Sequence, residues 1–403
     1  MKFLFFKSPI FILAVGLLLL FPQLLQGQQK TDSTLTTISH SSKGFVFATA
    51  DKKFELQIAA RLQFRFATPD DQNPVTFNDF TNLNSRLFKI NRSRLKIGGH
   101  AYHPWLKYYF EYELGQGNLL DFRVMIEKWP WLKFKFGQWK TEFTRERFIS
   151  SGDQQMVDRS LINREFTLDR QQGITAYGNL VGHGAANFSY WVAILTGTGR
   201  AATFNDDNKL MYFGRLQWNF LGREVPFSGS DLAISEKPAG IIAFAAVTNT
   251  SPYTRFSQSG GGQLVGYEPG SNGQYKIDQY QLETAFNYKG FSWASELHRK
   301  FIFNKGTNEH TTLAGYYVQA GYFPHRIISG ISENLEIAMR LSEYRPDLNI
   351  KSNTQKEVAF AINYFFEGHK NKLTAEITEF TFEDKDLLRQ DETRIRVQWD
   401  ISF

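Results

Sequence analysis

Arg92, Arg94 and Lys96 stand two residues apart, with Ser93, Leu95 and Ile97 on the intervening parity. On a β-strand, successive side chains point to opposite faces, so the three cations would share one face and rise about 6.8 Å per step. Such a ladder can exchange the hydration of a passing anion for charge-assisted hydrogen bonds. Arg61 with Arg65, Lys133 with Lys135, and Arg394 with Arg396 repeat the arrangement, and Arg123 falls on the polar face of its own segment. The same faces carry Glu55, Glu111, Glu113, Asp121, Glu127, Glu283, Glu296, Glu336, Glu357 and Glu376. Interleaved signs admit two readings, an anion path or cross-strand pairs that brace a wall.

Other chemistries are less well supported. His100, His103, His298 and His310 lie in or beside candidate strands, but no nearby serine carries a nucleophile elbow, so no catalytic residue is assigned. His100 and His103 point to opposite faces of a strand end and cannot share one ion without a bend. Asp384 and Asp386 lack the oxygen set of a Ca²⁺ loop. Cysteine is absent, which removes disulfides, thiolate metal sites and cysteine nucleophiles together; no metal or cofactor is expected. The formal net charge of +6 is a mild excess without clustering on one face, which argues against a nucleic-acid partner.

The elements that would carry the ladders are strands with one apolar and one polar side. Phe54, Leu56, Ile58, Ala60, Leu62, Phe64 and Phe66 alternate with Glu55, Gln57, Arg61, Gln63 and Arg65. Similar alternation gives sixteen candidates: 54–66, 88–102, 106–114, 120–128, 132–140, 173–180, 186–196, 210–220, 240–248, 279–288, 291–299, 312–323, 334–344, 355–365, 371–380 and 393–403. Alternation is weakest in 173–180 and 240–248. Most of these segments are long enough to cross a ~25 Å apolar band at a tilt of about 45°. An even number of such strands predicts an all-β, transmembrane antiparallel barrel with lipid outside and water inside. A cation facing lipid at the midplane would cost roughly 2–4 kcal/mol, so the ladders must face the lumen. If the first strand runs outward, the longest outer loops, 67–87, 141–172 and 249–278, fall in phase; the connection 221–239 is long and breaks the rule of short periplasmic turns. Tyr102, Trp105, Trp129, Trp131, Tyr288 and Tyr322 flank strands where rings would meet lipid headgroups.

The chain begins as an exported protein would. Lys2 and Lys7 precede an apolar run from Ile10 to Phe21, and Leu25-Gln26-Gly27 offers a small residue for cleavage. Residues 1–27 are therefore read as a cleaved signal peptide, 28–52 as a polar periplasmic tail or brace, and 53–403 as the barrel of a Gram-negative outer membrane. The final strand ends at Phe403, a pattern similar to the C-terminal signature read by the barrel-assembly machinery.

Several stretches resemble the phosphate-selective porin O and P family, in particular its Bacteroidetes-type members. They are Phe54-Glu55-Leu56-Gln57-Ile58 leading to Arg61-Leu62-Gln63, Arg92 to Gly99, Phe136-Gly137-Gln138-Trp139-Lys140-Thr141-Glu142-Phe143, and Asp169-Arg170-Gln171-Gln172-Gly173-Ile174. The resemblance covers most of 50–220 and implies a sixteen-stranded barrel, usually a homotrimer, whose third outer loop folds inward as a constriction. In this chain that loop is 141–172, with Arg145, Arg147, Arg159, Arg164 and Arg170 set against Glu142, Glu146, Asp153, Asp158, Glu165 and Asp169. The combined expectation is an outer-membrane porin passing small hydrophilic solutes or inorganic anions by diffusion, with a weak anion preference rather than a dedicated phosphate track. A non-conducting structural or adhesion barrel and a barrel enzyme such as a phospholipase or protease are the alternatives. Sixteen strands leave a lumen too wide to fill easily, which weighs against the first of these.

Overall fold

A computed structural model describes residues 36–41, 43–69, 86–256, 262–383 and 389–403. The signal peptide read at 1–27 and the loop aspartates Asp384 and Asp386 lie outside them. Two short strands come first, β1 (Thr36–Ser41) and β2 (Gly44–Thr49). Next are β3 (Glu55–Thr68), β4 (Leu87–Ala101), β5 (His103–Glu113), β6 (Asn118–Trp129), β7 (Leu132–Lys140) and β8 (Arg170–Val181). Then follow β9 (Asn187–Leu195), β10 (Met211–Trp218), β11 (Ala239–Ser251), β12 (Tyr275–Tyr288) and β13 (Phe291–Asn304). The last are β14 (Glu309–Tyr322), β15 (Leu335–Arg345), β16 (Gln355–Glu367), β17 (Asn371–Glu383) and β18 (Arg389–Ser402).

From β3 to β18 every strand pairs antiparallel with the next, and β18 pairs with β3 from Ile395↔Thr68 to Ser402↔Arg61, closing a sixteen-stranded barrel. Each of the sixteen segments expected from alternation is one of these strands. The physical reason is visible side by side on β17, where Lys372 is 1% exposed and its neighbour Leu373 is 38% exposed. Charge points inward and hydrocarbon outward, the inverse of a soluble protein, as a lipid surround requires. Between β12 and β13 the whole turn is Lys289-Gly290, both at positive φ (50° and 80°), the two-residue geometry that matches strand twist.

The structure departs from the sequence reading in three places. Within 28–52, read as a polar tail or brace with no strand assigned, β1 and β2 form a hairpin, and β2 pairs with the lower end of β3 from Phe45↔Ile58 to Ala48↔Glu55. It begins where Phe403, bonded to Ala60, leaves β3 without a neighbour on that side. Six-residue strands that do not cross a membrane carry no long two-faced pattern, so alternation could not find them. Second, β12 and β13 extend outward past the expected 279–288 and 291–299, where the usual sides are exchanged: Tyr275, Ile277 and Ile302 point inward into the buried apolar cluster and Lys276 and Asp278 point outward. Third, Arg170, placed in the third outer loop by the sequence reading, is the first residue of β8, so the loop is 141–169.

The outward face sets a test. Leu282 on β12 is 46% exposed between the buried Gln281 and Glu283. Leu282→Arg is expected to lower stability in lipid by roughly 2–4 kcal/mol, read by denaturant unfolding of the reconstituted protein. An unchanged midpoint would show that this face does not meet hydrocarbon.

Candidate functional site

Residues 141–169 form two single helical turns, Arg145–Phe148 and Asn163–Phe166, and otherwise irregular chain. A buried segment without a sheet or a long helix leaves its peptide groups in need of partners. Here the barrel wall supplies them. Glu296 accepts from the Glu146 N–H (2.7 Å), Glu376 from Val157 N–H (2.7 Å) and Glu357 from Leu161 N–H (2.8 Å). In the other direction, Lys372 donates to the carbonyls of Gly152 (3.1 Å) and Gln154, Arg340 to Asp158 (2.8 Å), Asn363 to Gln155 (2.9 Å), and Lys300 to Glu165 (2.7 Å). These side chains belong to β13, β15, β16 and β17, across the barrel from β7 and β8, which flank the loop. Gly152 passes so near Arg61 that a Cβ would stand 2.3 Å from its guanidinium.

Apolar packing completes the seat. Phe143, Leu161, Ile162, Phe166 and Leu168 of the loop join inward-facing Trp191, Phe213, Ala245, Ile277, Ile302, Leu313 and Tyr317 in one buried cluster. Phe256 and Leu264, from the connection after β11, enter the same cluster. The long connection 219–238 also turns into the barrel. Val225 packs on inward-facing Ala239, Ile241, Ala243 and Ala285. Arg145 donates to the Val225 carbonyl (3.0 Å), the Gly229 N–H to Asp153 O (2.8 Å), and Phe227 meets the Phe148 ring edge-on at 4.6 Å. This connection reaches loop 141–169 from the opposite end of the barrel.

Most of the cations expected to line a path are paired. Arg61 bonds Asp400 (3.3 Å), Arg94 bonds Glu111 (2.7 Å) and Glu113 (2.9 Å), and Arg123 bonds Asp121 (2.6 Å). Lys135 pairs with Glu142, and Arg394 with Glu392. Arg65, Arg92 and Arg396, from three adjacent strands, converge on Asp158 of the loop. Lys133 lies 5.8 Å from the Tyr177 ring. Lys96 has no carboxylate within 4 Å among the described residues. Of the loop arginines, Arg145 reaches Glu283 (3.6 Å) and Arg147 pairs with Asp169 (2.5 Å). Arg159 donates to the carbonyls of Glu146 (2.9 Å) and Ile149 (2.7 Å); Arg164 lies on the second helical turn. Arg170 bonds Asp121 (2.6 Å), so Arg123 and Arg170 share one carboxylate.

Water access divides these groups. The side chains of Arg92, Arg123 and Arg147 remain 20% exposed, whereas Arg215, Arg340 and Arg394 are at 0%. The loop is thus applied to the wall from β10 round through β18 to β3, and the accessible cations stand on β4 to β8 and on the loop side that faces them. Sequence reasoning missed Lys140, which donates to Ile149 O (3.2 Å), and also Arg215, Lys300, Arg340 and Lys372. The signal was present: Arg340 shares parity with Glu336, and Lys300 with Glu296. His298, weighed as a catalytic base, is buried beside Glu296 (2.9 Å) with its ring stacked on Phe166 at 5.0 Å. His310 stacks on Phe303 at 4.4 Å.

A family description of the phosphate-selective porin O and P type matches residues 61–378. No curated protein sequence matches the chain. Among solved structures, the outer membrane channel DcaP of Acinetobacter baumannii superposes with a TM-score of 0.55 at 11% identity, covering 89% of this chain and 99% of the other. The anion-selective porin from Comamonas acidovorans gives 0.54 at 11%, covering 86% and 99%. A loop L8 deletion mutant of OmpT, an outer membrane protein of Vibrio cholerae, gives 0.55 at 10%, covering 87% and 100%. At these identities the likeness is one of fold.

Glu146 supplies a pH-dependent element of the loop seat. Burial pushes its carboxyl from 4.5 up to about 7, with Glu296 adding and Arg340 opposing. A carboxyl raised in the folded state favours that state when protonated, a contribution complete below pH 4.5 and lost as pH rises through about 7. The full shift corresponds to on the order of 3 kcal/mol. Loop-dependent closures in single-channel records are therefore expected to become more frequent from about pH 5 to pH 8. Glu146→Gln, which keeps an acceptor for the Ser160 N–H, is expected to remove that dependence; a Gln variant with the wild-type profile would assign it elsewhere.

Proposed function

Because the chain belongs to the phosphate-selective porin O and P family and is an outer-membrane porin for small solutes, we propose that it conducts anions in weak preference to cations. In this reading the solute path runs between loop 141–169 and the wall from β4 to β8, and the loop is its constriction. The observation that carries the reading is the division of water access. Arg92, Arg94, Arg123 and Arg147, which keep contact with solvent, stand on that side, and the half-buried Lys96, Lys133 and Lys140 beside them have no carboxylate within 4 Å among the described residues.

The preference is weak because most of the arginines are already occupied. Arg94, Arg123 and Arg170 share Glu111, Glu113 and Asp121, which cancels much of the positive field that a dedicated phosphate track would need. Arg61, Arg65, Arg394 and Arg396 are each at most 4% exposed and act on a passing ion through the field rather than by contact. We further infer a homotrimer, export on the signal at 1–27, and recognition of the Phe403 end by the assembly machinery. A trimer form of OmpT among the structural neighbours supports the first of these.

Planar bilayers test the reading directly. Reversal potentials in a KCl gradient are expected on the chloride side of zero. An isolated charge about 7 Å from a permeating ion in water is worth roughly 0.6 kcal/mol. Salt screening about halves this, and chloride and potassium shift in opposite senses, so Lys96→Gln with Lys140→Gln is expected to lower the chloride-to-potassium permeability ratio by roughly two- to threefold per charge removed. A cation-selective wild type, or folded protein that carries no current, would overturn it.

A further inference from the structure

Asp158 sits where a permeating anion would be expected to bind. Arg65 of β3 lies 2.6 Å from its Oδ2, Arg396 of β18 lies 3.5 Å from the same atom, and Arg92 of β4 lies 3.5 Å from Oδ1. The loop backbone aims the carboxylate: Arg340 holds the Asp158 carbonyl at 2.8 Å, and Glu376 holds the preceding Val157 N–H at 2.7 Å. Burial would raise this carboxyl, but Arg65, Arg92 and Arg396 together hold it well below the usual carboxylate range.

The arginines do not depend on Asp158 for their positions. Arg65 is fixed by the Gln398 oxygen (2.9 and 2.7 Å) and by the Val157 carbonyl (3.1 Å). Arg92 donates to Gln63 (2.8 Å), and Arg396 to Glu376 (2.5 Å). Beside Arg92, the β3–β4 register shifts so that Gln63 opposes Arg92 while Phe64 opposes Ile90, leaving Asn91 as a bulge, a device that re-aims side chains near sites. The group is not sealed, since Asp158 is 14% and Arg92 20% exposed. Summed over these five groups alone, the three guanidiniums with Asp158 and Glu376 carry +1, and without Asp158 they carry +2. That is the charge a dianionic tetrahedral oxyanion complements, and convergent guanidiniums suit its oxygens.

We propose that Asp158 is a tethered anion which occupies a three-arginine cradle and thereby lowers the affinity of this porin for phosphate-like dianions. This deepens the anion-preferring reading and rests on it. Neutralising Asp158 converts a channel that passes small anions without holding them into one that binds dianions and is blocked by them. Asp158 is in this sense a specificity-determining residue.

The test is chloride conductance of reconstituted protein titrated with inorganic phosphate. Asp158→Asn is expected to show saturable block at a phosphate concentration roughly tenfold or more below that needed for wild type. Arg396→Gln added to it is expected to remove the gain. Asp158→Ser gives the same readout if the Asn variant does not fold, folding being checked by heat-shifted gel migration. Charge-neutral variants with wild-type phosphate sensitivity, or a block that survives Arg396→Gln, would overturn the proposal. The wild-type reversal potential separates the two levels. Cation selectivity there defeats the anion-preferring reading itself, whereas an anion-selective wild type with insensitive variants defeats only the role of Asp158.

Discussion

Where a loop is pressed dry against a barrel wall, its peptide groups have neither water nor a sheet to bond with and must be met by side chains. That requirement organises the interior of this protein. Glu296, Glu357 and Glu376 receive N–H groups of residues 141–169, while Lys300, Arg340, Asn363 and Lys372 donate to its carbonyls. A buried donor or acceptor left unmet costs about 1–3 kcal/mol, more when charged. The charged face of β13 to β17 is thus matched to one path of the loop backbone, and the loop in turn shields those charges from the lumen.

This arrangement explains which parts of the fold were legible in the sequence. Where the inner face meets water or a polar loop backbone, as on β3 or β17, polar and apolar residues alternate and the strand is plain. On β11 the inward residues are Ala239, Ile241, Ala243, Ala245 and Val247, apolar because Val225 and the loop cluster cover them. Both faces of β11 are then hydrophobic, and the period of two fades. The long 219–238 connection is the other half of the same fact: it is the segment that covers them. A reader of the sequence sees an anomalous turn and a weak strand, and only the three-dimensional contact joins them.

The site was legible in its residue types and only partly in its pairings. Parity placed Arg92, Arg94 and Lys96 on one inward face, and the structure keeps them there. Parity could not show that Asp158, 66 residues beyond Arg92, would come to lie against it. Of the two readings left open for the interleaved charges, a path or a brace, the brace assumed partners on neighbouring strands. Some pairs are of that kind, such as Arg94 with Glu111 and Glu113. Others join the wall to the loop, as Lys135 does with Glu142 and Arg340 with the Asp158 carbonyl. A loop of irregular conformation has no period from which such partners could be predicted.

Sixteen strands enclose more space than their own side chains fill, and this chain fills one side of it with folded loops. The consequence is two electrostatic environments within one barrel. Around Arg215, Glu283 and Arg145 the charges are dry, so removing one partner strands the other at a cost of about 3–5 kcal/mol. Around Arg92, Arg123 and Arg147 water still reaches the side chains, pairing is worth less, and salt screens it. The same arginine–carboxylate chemistry therefore fastens a loop on one wall and sets a field for solutes on the other. Which role a given pair takes is decided by whether the loop covers it, so the loop defines the path by what it buries as much as by where it narrows the lumen.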